Sequence, residues 1–151
     1  MSMRRTIAVI AELKEKGVIR DYAIAGAVAA VNYIEPFLTQ DLDVLISVGN
    51  LKQRKSGLVP LTPIDDALAK MGYRERRDAG VMIEGWPVQF LPVASPLDEE
   101  ALDEAVEVEL AAAGEEPLKA RCLRAEHVVA TAVKQVWKAF CLRAGIENLL
   151  R

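Results

Sequence analysis

The stretch that most restricts the fold is LDVLISV, residues 42–48, with Asp41 directly before it. Its β-branched and apolar residues predict a buried strand. Yet the same stretch carries Asp43, so two carboxylates stand one residue apart at the head of an apolar run. An unpaired buried carboxylate costs several kcal/mol, so the pair must be exposed, protonated, salt-bridged or holding a metal ion. Side chains two apart on a strand share a face. Asp41 and Asp43 therefore project together, while Leu42 and Val44 face the other way.

The remainder of the chain bounds these choices. At 151 residues it is long enough for one domain with a real core, and 52% apolar with 27% charged residues describes a folded chain. A net charge of −3 gives no general attraction for phosphate backbones, so nucleic-acid contact would need a local basic patch. Cys122 and Cys141 read as reduced thiols of a cytoplasmic protein. A single histidine without CxxC or HxxxH spacing argues against structural zinc. No stretch reaches the length of a membrane span, and the N-terminus turns charged too early for a secretory leader.

The first residues, up to Gly17, predict an amphipathic helix through Ile7, Ile10, Ala11 and Leu13. YAIA (22–25) reads as a short strand, and GAVAAVNYI (26–34) as a small-residue helix that Glu35-Pro36 breaks. Residues 49–61 form a polar loop with Lys52, Arg54 and Lys55. TPIDDALAKMGY (62–73) predicts a helix capped by Thr62, with Pro63 in the first turn and Gly72 ending it. GVMIEGWPVQFLPV (80–93) gives two strands around Glu84-Gly85-Trp86. SPLDEEALDEAVEV (95–108) reads as a further helix, AAAGEEP as a break, and residues 124–150 as one or two closing helices. The expected class is a single α/β (α+β) domain over 1–151: a small mixed sheet flanked by helices, with a core at 1–95 and a helical part at 96–151.

Two carboxylates that close on one face repel each other, and one stays protonated unless a cation neutralises them. Mg²⁺ takes one or two carboxylates and completes its shell with water and phosphate oxygens. Paired aspartates at a strand start beside a helix N-terminus form a recurring phosphoryl- or nucleotidyl-transfer geometry. Gly26-Ala27, followed after thirteen residues by Asp41-Leu42-Asp43-Val44, resembles the motif of the nucleotidyltransferase superfamily related to DNA polymerase beta. The run EPFLTQDLDVLI, with Thr39 two residues ahead of the first aspartate, is similar to the minimal nucleotidyltransferases and the AbiEii-type toxin group. The resemblance covers residues 20–93.

It implies Mg²⁺-dependent (or Mn²⁺-dependent) transfer of a nucleoside monophosphate from a nucleoside triphosphate to a hydroxyl acceptor on RNA or protein. Asp41 and Asp43 would be the catalytic metal ligands. Gly26, Ala27, Thr39 and Lys134 would be the nucleotide-binding residues. A homo-oligomer or an antitoxin-like partner is the association it implies, with no membrane partner. Three positions depart from the family pattern. Ala27 lacks the usual hydroxyl, and Phe37 stands where some members carry arginine. Gln89, in VQFLP, occupies the place of a third carboxylate, which an amide replaces neither as a base nor as a strong Mg²⁺ ligand. Glu84, at the hairpin turn, is the nearby carboxylate. These departures support a second reading, a catalytically degenerate member that binds a nucleotide or a partner protein.

The remaining features have plain readings. Lys52, Arg54 and Lys55 suit a solvated loop. His127 suits an ordinary helix position, and Trp86 and Trp137 suit packing. Asp98, Glu99, Glu100, Asp103 and Glu104 suit an exposed helix face. Lys134 reads equally as a surface lysine or a phosphate contact.

Overall fold

The structure, a computed structural model, describes residues 2–33, 39–49, 61–110 and 116–145. Phe37, Lys52, Arg54, Lys55 and the Glu35-Pro36 break lie outside these residues. The described residues form five helices and a seven-stranded mixed sheet, a mixed α/β (α+β) architecture.

Helix α1 (Met3–Glu15) buries Met3, Thr6, Ile7, Val9, Ile10 and Leu13, the stripe its three- and four-residue spacing demands. Ser2 caps it by accepting from the Arg5 N–H, and Gly17 leaves it with φ of +71°. The buried Thr6 hydroxyl donates to the Ile83 carbonyl at 3.0 Å and so pins this helix to the sheet.

The strands are β1 (Asp21–Ile24), β2 (Leu42–Ser47), β3 (Arg76–Arg77), β4 (Gly80–Ile83), β5 (Trp86–Pro92), β6 (Val106–Leu110) and β7 (Leu118–Cys122). Their order across the sheet is β3-β4-β5-β2-β1-β7-β6. β2 pairs antiparallel with β1 and parallel with β5, and β7 runs parallel to β1. Pleating sorts β2 into two sets. Leu42, Val44 and Ile46 join the large core with α1 and with α3 (Thr62–Lys70). Leu45 packs on the other side with Ala101 and Leu102 of α4 (Pro96–Asp103). Helix α2 (Gly26–Ala30) is one short turn after β1, and α5 (Ala125–Ala144) closes the described chain.

Three local expectations need correction. The helix expected over 95–108 stops at Asp103, and Val106–Leu110 is strand β6, so the part expected to be helical supplies two sheet strands. The physical reason is visible in VEVEL, where apolar and acidic residues alternate with the period of a strand. LKARC in β7 alternates likewise, with Leu118, Ala120 and Cys122 buried. Thr62 does not cap α3. Leu61 holds the cap position without a side-chain hydrogen bond, so the helix starts one residue earlier and Pro63 lies in its first turn.

Candidate functional site

The site begins where β1 runs out. The Ala25 N–H donates to the Asp43 carbonyl at 2.9 Å, which sets the turn after β1 against the start of β2. Gly26 takes φ of +58° at this turn. A Cβ on it would stand 2.1 Å from Asp43 Oδ2 and 2.9 Å from its Cγ. Both the backbone angle and the contact therefore demand glycine. The aspartate is short, so its carboxylate cannot swing clear as a long side chain would.

Asp43 is half-buried. Burial, and secondly the charge of Asp41, hold its carboxyl above the usual carboxylate range. Among the described residues no hydrogen bond or ion pair reaches this carboxylate. It lines a cavity of about 460 Å³ together with Gly26, Ala27, Asp98, Lys134 and Lys138, over an apolar floor that includes Leu45 and Leu91.

Asp41 is exposed and precedes β2. It borders a neighbouring cavity of about 170 Å³ with Gln89, Arg77 and Asp78. The Thr39 hydroxyl donates to the Asp41 carbonyl at 3.1 Å and to its Oδ1 at 3.3 Å, so Thr39 braces Asp41 and lines neither cavity. The structure thus gathers Gly26, Ala27, Asp43 and Lys134 around one cavity and sets Asp41 with Gln89 at the next. Gln89 is the register partner of Asp43 in the parallel β2–β5 ladder, and partners in a ladder point to the same face. Glu84 is committed elsewhere: the Tyr73 phenol donates to it at 2.7 Å, and Arg5 lies 3.6 Å away. That hydrogen bond, with burial and the charge of Glu84, pushes the Tyr73 phenol up to about 12.

Lys134 reaches into the cavity but is not free. Its Nζ lies 3.0 Å from each Asp98 oxygen and 2.6 Å from Ser95 Oγ. Asp98 also accepts from the Ala94 N–H at 3.1 Å. Burial would raise the Asp98 carboxyl, but the hydrogen bonds from Lys134, Ser95 and Ala94 outweigh it and leave the group below its ordinary range. Asp98 is therefore a buried, paired residue rather than part of an exposed acidic face. Its spacing from Ser95 was the available signal. Ser-x-x-Asp is a capping pattern, and Ser95 does cap α4 through the Asp98 N–H.

A second group lies between α4 and α5. Glu100, Glu104 and His127 bring one ligand atom each within 4.8 Å of one another, a group that could hold a metal ion. His127 lies on α5, as expected, and is 4% exposed. Its Nε2 lies 3.3 Å from Glu100 Oε1, and its Nδ1 has no hydrogen-bond partner among the described residues. Glu104 is also held by Arg124 at 3.1 Å. Sequence spacing argued against structural zinc and does not show this group, whose members come from α4, its C-terminal cap and α5. No helix of the described residues is long and apolar enough to cross a membrane. No protein-family model and no curated protein matches the chain.

Proposed function

We propose that the chain is a nucleotidyltransferase-like protein that receives a nucleoside triphosphate with Mg²⁺ (or Mn²⁺) in the cavity beside Gly26 and passes its nucleoside monophosphate to a hydroxyl acceptor. The observation that carries this reading is the Asp43 carboxylate, half-buried, with no cationic side chain against it among the described residues and pressed against a glycine that alone permits it there. Such a group lowers its free energy by meeting a divalent ion. Asp43 would hold that ion, with Asp41 contributing if its side chain turns toward the same cavity. When bound, the ion neutralises triphosphate charge.

The chain's own residues divide the other tasks. The bare Gly26 backbone leaves room for a phosphate to approach closely. Lys138, which also lines the cavity, supplies positive charge, and Lys134 adds to it once released from Asp98. In the transfer, the acceptor oxygen bonds to the α-phosphorus, the bond to the β-phosphate oxygen breaks, and pyrophosphate departs. The acceptor proton passes through solvent to the departing pyrophosphate. Gln89, beside Asp43, cannot take it.

That amide favours a second reading, in which the same cavity binds nucleotide without transferring it, in a degenerate member that binds a nucleotide or a partner protein of the antitoxin kind. One experiment separates the two. Purified chain is given each ribonucleoside triphosphate with Mg²⁺, and pyrophosphate release and thermal stabilisation are both followed, with Asp43→Ala alongside. Release that disappears in Asp43→Ala supports transfer. Stabilisation lost in the variant, without release from either protein, supports binding alone. If neither nucleotide effect is seen, both readings fall.

A further inference from the structure

The two faces of α5 have unequal work. Thr131, Lys134 and Lys138 turn toward the cavity, and His127 and Cys141 are buried. The opposite face is apolar and bare: Val129, Val133, Val136 and Phe140 are 63%, 62%, 71% and 54% exposed. Their steps of four, three and four place all four on one narrow stripe, the spacing by which one helix packs along another. Isolated apolar residues on a surface need no explanation, but an aligned row over three turns does.

The ends of the stripe say what covers it. Continuing the same spacing gives Glu126 at the N-terminal end and Arg143 at the C-terminal end, both exposed. If a second α5 lies antiparallel along the first, Val133 meets the partner's Val136, and Val129 meets the partner's Phe140. Glu126 then meets the partner's Arg143. Every position on the stripe finds its complement in one register, and the two-fold axis repeats each pair, as a self-complementary interface requires. A parallel arrangement would instead set Glu126 against the partner's Glu126 and Arg143 against its Arg143, two repulsive contacts. Glu126 also touches Arg124 at 3.0 Å, and this contact runs along its own helix.

We infer that the chain forms an antiparallel homodimer through the Glu126–Arg143 stripe of α5. This face lies opposite the cavity side of the helix, so the inference stands whether or not a nucleotide binds. One helix pair is small beside the roughly 1,200–2,000 Å² of stable interfaces. The dimer therefore exchanges with monomer across the micromolar range.

Sedimentation of the full chain over a concentration series tests this. The wild-type chain is expected to pass from one copy of 16.6 kDa to two. Glu126→Arg and Arg143→Glu, each alone, should raise the dimer dissociation constant about tenfold by setting like charges together at both ends. Mixing these two variants restores the opposite-charge pairs and should return the constant to near the wild-type value. Recovery on mixing supports the antiparallel register. A dimer indifferent to both substitutions overturns it, as does a wild-type chain that stays monomeric at every concentration. A monomer in which cysteine at Val136→Cys alkylates slowly would assign the stripe to the chain's own residues 146–151, and this also overturns the proposal. Both charge substitutions are at exposed positions, and a thermal melt of each variant confirms folding.

Discussion

Asp43 sits where fold and chemistry pull in opposite directions. A carboxyl whose folded pKa is raised is destabilising when ionised, so its effect depends on pH with a definite sign. Below the unfolded carboxyl pKa the group is neutral in both states and costs nothing. The cost grows as pH rises from the unfolded pKa to the folded pKa and is complete above it. Asp43→Asn removes the charge while keeping the shape. At pH 7 without divalent ions it should stabilise the chain by about 1 kcal/mol, or roughly 2–4 °C in Tm. Near pH 3 that gain should vanish. Melting curves at the two pH values check this, and an asparagine variant that is less stable at pH 7 would reveal a favourable partner for the carboxylate. Gly26 is the matching half of the arrangement. Its positive φ and its contact with Asp43 both exclude a side chain, so the glycine and the aspartate form one local unit.

Between elements, the main polar tie at the cavity joins α5 to the start of α4. Lys134 spans from the long helix to Asp98 and Ser95, and so fixes one wall. Because Asp98 is buried, losing its partner leaves a charge with only the Ala94 N–H and local donors. Lys134→Met should cost about 1–2 kcal/mol in urea unfolding at pH 7, less than a fully buried pair because the lysine is 43% exposed. The folded pKa of Asp98 is depressed, so the tie's contribution is present above the unfolded carboxyl pKa. It is lost as pH falls through the folded value. Adding Asp98→Asn to Lys134→Met should recover part of the loss, and failure to recover would place the lysine's effect outside this pair.

Across the whole molecule, stability is expected to be uneven. β2 and β5 lie inside the sheet, joined by five register pairs from Leu42–Val88 to Ile46–Pro92. By contrast, the β6–β7 pair meets β1 through the single register pair Ile24–Cys122, with the Leu123 N–H donating to the Ile24 carbonyl nearby. The Asp21–Arg121 ion pair adds a polar link. Hydrogen exchange should therefore find the Val44–Ile46 amides slowest and the β6–β7 amides opening earlier as a unit. Equal protection of the two regions would contradict this division. The α5 stripe adds a dependence on concentration, since a dimer protects that helix by mass action.

Period and punctuation determined much of this protein in advance. The first helix and its glycine stop, strand β2, the Glu84-Gly85 hairpin and the start of the closing helix follow from local rules that nearest neighbours in sequence enforce. VEVEL and LKARC carried strand periodicity as well, but the acidic helix before them masked it. What sequence could not decide is anything that depends on a partner far along the chain. Only the packed sheet pairs Asp43 with Gln89, presses Gly26 against that carboxylate and brings Lys134 to Asp98. It also separates Asp41 from Asp43 at two cavities, because β2 begins after the first aspartate. Spacing fixes which way a side chain faces on its own strand, whereas the walls it faces are built by residues dozens of positions away.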